Sequence, residues 1–117
     1  MGQAITTQGV YEYDNVPFNT EVVLASYQLQ GSNNAYFTGA GTKVWSPTDA
    51  TNFTVRVLVN GVERDGGVSN GAATVNTQGP TDQIANNGTY QILVKHQHSG
   101  MLHNFKGLIF GTGSTGS

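Results

Sequence analysis

Apolar and polar residues alternate along much of this chain, and the alternation has a period of two. The clearest run is 53–59, in which every second residue is Phe or Val. Successive side chains of a strand point to opposite faces, so this run predicts a strand with one buried face. Asn60-Gly61 follows directly, and this pair favours a two-residue hairpin turn because both positions accept positive φ. The segment therefore predicts an antiparallel hairpin.

Further runs rich in Val, Leu, Tyr and Phe predict more strands, each bounded by Gly, Asn, Pro or Asp. These runs cover residues 10–13, 20–29, 35–45, 72–76 and 90–110, the last as a hairpin around Ser99-Gly100. Apolar residues do not recur with helical spacing over three turns, so we expect almost no helix. Roughly seven to eight short strands separated by turns are typical of an antiparallel β-sandwich of jelly-roll type, which is the all-β fold we predict.

Length, composition and charge then narrow the classes of protein that fit. The 117 residues predict one sandwich domain over 1–110, followed by a flexible Gly/Ser/Thr tail over 111–117. Charged residues make up 10% of the chain and the net charge is −2, so we expect no nucleic-acid partner. The first ten residues lack the basic start and apolar core of a signal peptide. No stretch reaches the roughly 20 apolar residues of a membrane helix, so we expect no membrane insertion.

Three histidines fall in the predicted last hairpin. If Ser99 and Gly100 are the central residues of a tight turn, His96 lies opposite His103, and His98 lies on the same face. Three imidazoles so placed could ligate zinc or iron, which makes His96, His98 and His103 the candidate metal ligands. In a trimer, His96 and His98 of three chains could instead meet on the axis, an arrangement that resembles the iron-binding His-x-His motifs of phage tail fibres. The interpretation we favour is that these histidines pack or titrate without a metal, so we expect no cofactor, with zinc or iron at this cluster as the alternative.

The aromatic residues suggest a second kind of site. Trp45, Tyr36 and Tyr27 occur among many Asn and Gln side chains, and carbohydrate sites combine an aromatic platform with amide and hydroxyl groups. These three residues are therefore the candidate ligand-binding residues. The same aromatics also suit the core and the surface of a β-sandwich, so packing is the competing explanation.

The chain carries no recognisable catalytic constellation. Cysteine is absent, which excludes thiolate catalysis and zinc–cysteine sites. The sequence has no nucleophile elbow and no phosphate-binding glycine loop followed by Lys-Ser or Lys-Thr. The carboxylates are scattered among predicted loops and strands without a shared spacing. We therefore expect a protein that is not an enzyme.

Two segments resemble complement-type and tumour-necrosis-factor-like jelly rolls. Residues 53–62 (FTVRVLVNGV) look like the strand and Asn-Gly hairpin of those domains, and residues 104–110 (NFKGLIF) are similar to their aromatic-x-Gly-apolar final strand. Gly88-Thr89-Tyr90 is similar to their Gly-x-Tyr strand entry, although its order relative to the Asn-Gly hairpin differs. The resemblance implies a homotrimer whose subunits pack strand faces around a three-fold axis, with loops at one end meeting a partner.

Modules of this kind occur in bacteriophage fibres and spikes, whose low-charge composition this chain resembles. The leading hypothesis is thus a non-enzymatic structural or attachment module, a virion decoration, fibre or spike component on a virion or extracellular surface. Its partner would be a virion or cell-surface protein or a glycan. The alternatives are a carbohydrate-binding lectin or carbohydrate-binding module, and a small metalloprotein that uses the three histidines. Fold analogy alone does not choose among them.

Overall fold

The computed structural model describes residues 2–7, 10–78 and 81–116, and these residues form an all-β protein without a helix. The strands of this described part are β1 (Ala4–Thr7), β2 (Tyr11–Val16), β3 (Val22–Gln28), β4 (Tyr36–Trp45), β5 (Phe53–Val59), β6 (Val62–Val68), β7 (Thr74–Thr77), β8 (Gln83–Ala85), β9 (Thr89–His96) and β10 (His103–Ser114). The predicted fold class is confirmed. Short strands β1 and β8 were not predicted; β8 lies between the predicted strands 72–76 and 90–110, an interval in which residues 79–80 lie outside the described residues.

The strands form two antiparallel sheets packed face to face. The six-stranded sheet has the order β1-β10-β4-β7, with β2 also paired to β10 and β8 to β4, and the four-stranded sheet has the order β3-β9-β5-β6. From β2 to β5 the chain changes sheet at every step, and β9 and β10 again lie in opposite sheets. This strand order is that of a jelly roll.

The Asn60-Gly61 hairpin forms as predicted. β5 pairs antiparallel with β6, and Val59 lies opposite Val62. Both turn residues have positive φ, 50° at Asn60 and 82° at Gly61, as the mirror-image turn of a hairpin requires. The alternation in β5 also holds, because Phe53, Val55, Val57 and Val59 are buried and the residues between them are partly exposed.

The predicted last hairpin is wrong, although its turn exists. β9 pairs with β3 and β5, whereas β10 pairs with β1, β2 and β4. Ser99 and Gly100 do form a turn, but the chain there crosses from one sheet to the other. Because both edges of each strand are already paired, β9 and β10 meet through their inward-facing side chains across the core.

The core lies between the sheets and is built largely of aromatic and β-branched residues. The rings of Phe53 and Phe105 lie 5.0 Å apart, and those of Phe37 and Tyr90 lie 5.6 Å apart. Each pair joins a strand of one sheet to a strand of the other, and edge-to-face geometry adds to the burial. Burying one such side chain contributes about 1.5–3 kcal/mol, so these contacts hold the sheets together.

The domain boundary drawn at residue 110 is also corrected. β10 continues through Ser114, and Gly111–Ser114 pairs with β4. Beyond it, the Thr115 N–H donates to the Gln3 carbonyl and the Thr115 carbonyl accepts from Ser32 N–H, each at 2.9 Å. Gly111 and Gly113 lack side chains and so lie directly against Phe37 and Tyr36. Glycine content here reflects close strand packing, and only Ser117 of the predicted tail lies outside the described residues.

Candidate functional site

Trp45 lies on the outer face of the six-stranded sheet. It ends β4, in which Val44 and Ser46 on either side of it are buried against the other sheet. The strand period therefore turns the indole away from the core and leaves it partly exposed. Trp45 is not part of the core cluster.

Residues from three strands surround the indole and form what we call the tryptophan face. Trp45 lies between Lys106 of β10 and Thr74 of β7, and two residues along the strand Lys43 lies between Leu108 and Asn76. The tryptophan face is defined as Lys43, Trp45, Thr74, Asn76, Lys106 and Leu108. It combines one aromatic ring, one aliphatic side chain, two ammonium groups, one amide and one hydroxyl. Such a set can stack on a ring and hydrogen-bond around it.

The two lysines of the tryptophan face have different partners. The Lys43 ammonium lies over the indole, 5.2 Å from the ring centroid, which is a cation–π contact worth about 0.5–1 kcal/mol at an exposed site. The Lys106 ammonium instead lies 3.4 Å from the Glu12 carboxylate on β2. The charge on Lys106 is thus offset by a carboxylate, whereas that on Lys43 faces a π system.

The structure does not bring the three predicted ligand-binding aromatics together. Tyr36 begins β4 and is 43% exposed, on the same outer face as Trp45. At about 3.3 Å per residue, the nine intervening steps separate the two by roughly 30 Å. Tyr27 packs against the core, with its ring 5.5 Å from that of Phe37. A single sugar could therefore contact Trp45 without either tyrosine.

The three histidines do come together, at one end of the sandwich. His96 and His103 have ring centroids 4.9 Å apart in edge-to-face geometry, and the His98 and His103 rings stack at 5.0 Å. His96 ends β9 and His103 begins β10, so the crossover of residues 97–102 folds back over both. The predicted neighbourhood is right, although the predicted hairpin that was to create it is absent.

Hydrogen bonds commit most of the imidazole nitrogens. His96 Nδ1 accepts from the His98 backbone N–H at 3.1 Å, so its ring proton is on Nε2, which donates to the Val16 carbonyl at 2.7 Å. His98 Nδ1 and His103 Nε2 lie 2.8 Å apart, and His103 Nδ1 is 3.1 Å from Thr48 Oγ1. The cluster thus bonds to itself and to the 46–50 loop.

This arrangement bears on the metal prediction. Within the part of the chain that the structure describes, no group of three or more His, Cys, Asp or Glu side chains is arranged to hold a metal ion. His96 is fully buried, so it does not face outward toward a symmetry axis. His98, which is exposed, is the histidine that another chain could reach. Zinc or iron binding stays a prediction, and the imidazoles act here as a packed, hydrogen-bonded end of the core.

The described surface, that of residues 2–7, 10–78 and 81–116, has no pocket. Sites for small molecules are ordinarily concave. No helix long and apolar enough to cross a membrane occurs among these residues.

Sequence reasoning found Trp45 but missed the residues around it. Lys43 was readable, because it precedes Trp45 by two positions and so shares its face. Lys106, Leu108, Thr74 and Asn76 join the face only through the pairing of β4 with β10 and β7. That pairing is long-range and has no local signature.

Comparisons with known proteins add likenesses at the level of structure alone. No family model and no curated protein matches the sequence. An insecticidal delta-endotoxin from Bacillus thuringiensis is 11% identical with a TM-score of 0.41, and the match covers 83% of this chain and 18% of the endotoxin chain. The CBM36-1 domain of a multidomain xylanase from the hindgut metagenome of Trinervitermes trinervoides is 11% identical with a TM-score of 0.44. That match covers 100% of this chain and 98% of the CBM36-1 chain. A chain in the structure of the infectious bursal disease virus Gx strain is 10% identical with a TM-score of 0.42. That match covers 97% of this chain and 31% of the viral chain. Likenesses this distant carry no argument about this chain.

Proposed function

We propose that this protein is a non-enzymatic surface attachment module that binds carbohydrate through the tryptophan face. The observation that carries the proposal is the position of Trp45, whose indole is turned out of the core and set among amide, hydroxyl and ammonium groups. The apolar face of a sugar ring stacks on an aromatic ring, and its hydroxyls bond to polar side chains around it. Trp45 would be the platform, and Thr74 and Asn76 would bond the rim of the sugar.

The lack of a pocket among the described residues favours a polymer or a glycan-coated surface as the ligand. A small free sugar binds best in a concave site that surrounds it, and the described surface opens no such pocket. On an open sheet, each contact is weak and solvent-exposed. Useful attachment then comes from several copies acting together, because linked sites raise the effective affinity without new contacts. A bacteriophage decoration, fibre or spike protein is a setting in which many copies face one surface.

Glycan-array binding tests the proposal directly. The wild-type protein, displayed multivalently, is expected to bind a defined subset of glycans, and Trp45→Ala is expected to reduce that signal at least about tenfold through loss of the stacking platform. Tyr36→Ala is the matched control, because it removes an exposed aromatic from the same strand and face at the other end. Equal binding by wild type and Trp45→Ala, or loss with Tyr36→Ala alone, would contradict the proposal.

A second candidate function is structural, as one subunit of a homotrimer. The specific observation is a group of exposed apolar side chains at the histidine end of the sandwich. Phe18, Met101 and Leu102 are 42%, 45% and 58% exposed, and their loops adjoin because the Asn19 N–H donates to the His96 carbonyl at 2.8 Å. Apolar surface of this kind is buried when copies associate.

Native mass spectrometry of protein purified without chelator tests the trimer and reports any retained metal. The trimer is expected to dissociate in Leu102→Ser. Val62→Ser is the matched control, because Val62 is 59% exposed at the opposite, Asn60-Gly61 end. A monomeric wild type, or equal loss of trimer in both variants, would contradict this second candidate.

A further inference from the structure

We infer that the polysaccharide is acidic, and that Lys43 is the residue that makes the tryptophan face selective for a sugar acid over a neutral sugar. The inference rests on the proposed carbohydrate-binding function and names the chemical class of its ligand. It follows from two observations: the Lys43 ammonium contacts the Trp45 indole, and no carboxylate in the described part of the chain pairs with it.

The cations of this protein are mostly matched with carboxylates. Arg56 pairs with Glu21 and Glu63, and the other two ion pairs in the described residues join Arg64 to Asp82 and Lys106 to Glu12. Lys43 and Lys95 have no carboxylate oxygen within 4.0 Å in the described part of the chain.

Lys43 differs from Lys95 in its surroundings. The Lys43 ammonium lies over the indole of Trp45, whereas Lys95 lies on β9 in the other sheet. The strands beside Lys43 offer it no anion, because β4, β7 and β10 contain no Asp or Glu. Its cross-strand neighbours are Leu108 and Asn76. The acidic residues of the six-stranded sheet are Glu12 and Asp14, both on β2.

This geometry sets a requirement for stacking on Trp45. A sugar ring that stacks on the indole face that Lys43 covers displaces the ammonium from its cation–π contact. A neutral sugar gives the displaced ammonium no equivalent partner, so that contact is lost. A sugar carboxylate forms a charge-assisted hydrogen bond with the ammonium while the ring stacks. Lys43 therefore opposes neutral sugars and assists acidic ones at the same position.

The site would take a polymer of uronic acids or a similar carboxylated glycan. Such a polymer presents a carboxylate on successive rings, and Lys106 lies directly across from Trp45, where a second carboxylate could compete with Glu12 for it. Exposed ion pairs are individually weak. The selectivity is thus expected to be moderate for one site and to grow when several copies bind together.

Two pairs of polymers that share a backbone and differ at the carboxyl group test the inference: polygalacturonate with its methyl ester, and hyaluronan with its carboxyl-reduced form. The expected result in low-salt affinity electrophoresis is that wild type binds the acidic member of a pair about fivefold more tightly. Lys43→Gln should abolish this preference by weakening acidic binding without weakening neutral binding. Lys95→Gln, which removes the other cation without a carboxylate partner, should keep it.

The outcomes separate the two claims. Equal wild-type affinity for the charged and neutral members, together with Trp45-dependent binding to some glycan, overturns the acidic preference and leaves the carbohydrate proposal standing. A preference that survives Lys43→Gln, or disappears in Lys95→Gln, overturns the role of Lys43. The absence of any Trp45-dependent glycan binding overturns both.

Discussion

The His103 ring contacts two other imidazoles, those of His96 and His98. It is 4% exposed, and both of its nitrogens have partners within the protein, His98 Nδ1 and Thr48 Oγ1. Burial, followed by the nearby His96 and His98 rings, lowers the pKa of His103 below its ordinary value. Protonation would place a charge in this enclosed cluster next to two other imidazoles.

The lowered pKa of His103 predicts loss of stability in acid. Because its folded-state pKa lies below the unfolded value of about 6.5, the unfolded chain binds the proton more readily as the pH falls. The full contribution to stability is therefore present above pH ~6.5 and is lost below it. Free energies of unfolding from urea titrations at pH 7.5 and 5.0 should differ less in His103→Gln than in wild type. An identical pH dependence in the two proteins would contradict this assignment.

The sequence predicted which residues to single out better than it predicted the contacts that those residues make. It singled out Trp45 and the three histidines by residue type. In the structure, Trp45 lies among polar and charged side chains, and the three histidines contact one another. It did not predict that His96 would be fully buried and bonded to the Val16 carbonyl, because Val16 is 80 residues away along the chain. Which imidazole nitrogens remain available depends on such distant partners.

The long last strand, β10, organises the six-stranded sheet. It pairs with β4 along one edge and with β2 and then β1 along the other. Its end, rich in Gly, Thr and Ser, reads as flexible by composition alone. In the structure, these small residues let β10 approach Tyr36 and Phe37 of β4 closely. Composition therefore gave a wrong prediction of flexibility for 111–114, because this segment has no alternation of apolar and polar residues that would indicate a strand.

A single methyl group should disturb this part of the sheet. In Gly113→Ala, the added Cβ would meet the Tyr36 carbonyl oxygen and lie 2.7 Å from Phe37 Cα. Crowding of this kind should lower the free energy of unfolding by about 1–3 kcal/mol. Thr112→Ala, at the exposed neighbouring position, should change it by no more than about 0.5 kcal/mol. Chemical denaturation of the two variants checks this, and a Gly113→Ala protein as stable as wild type would contradict the paired end of β10.

Local and long-range elements also differed in how far they could be predicted. The β5–β6 hairpin followed from the alternation of 53–59 and the Asn60-Gly61 pair, both of which are local signals. The β9–β10 segment carries equally clear alternation and a genuine turn at Ser99 and Gly100. Alternation reports which face of a strand is buried, but it does not say which sheet the strand joins.

The whole molecule is elongated, with extents of 50 × 21 × 21 Å, and its two ends differ. One end carries the histidine cluster together with the exposed Phe18, Met101 and Leu102, and the other carries the Asn60-Gly61 turn. The tryptophan face lies on a side of the sandwich near the histidine end, where Ser46 Oγ donates to the Asn104 carbonyl at 3.0 Å. Association at the histidine end would leave the outer sheet faces open, so attachment and assembly are compatible.

The jelly-roll class was predictable from turn spacing and strand period, whereas its surface chemistry was not. Alternation of consecutive strands between sheets creates the tryptophan face from segments near residues 45, 75 and 106. No two of these are adjacent in sequence. The sequence suggested a carbohydrate site of Trp45, Tyr36 and Tyr27, whereas in the structure Trp45 lies apart from both tyrosines and beside Lys43 and Lys106.

The most direct test of the tryptophan face is a fluorescence titration. Trp45 is the single tryptophan of the chain, so intrinsic tryptophan emission reports this face and no other part of the protein. Titration with the polysaccharides bound on the array, polygalacturonate among them, should give a saturable change in emission with the same midpoint as binding. Binding that leaves the emission of Trp45 unchanged would place the contact elsewhere and contradict the account.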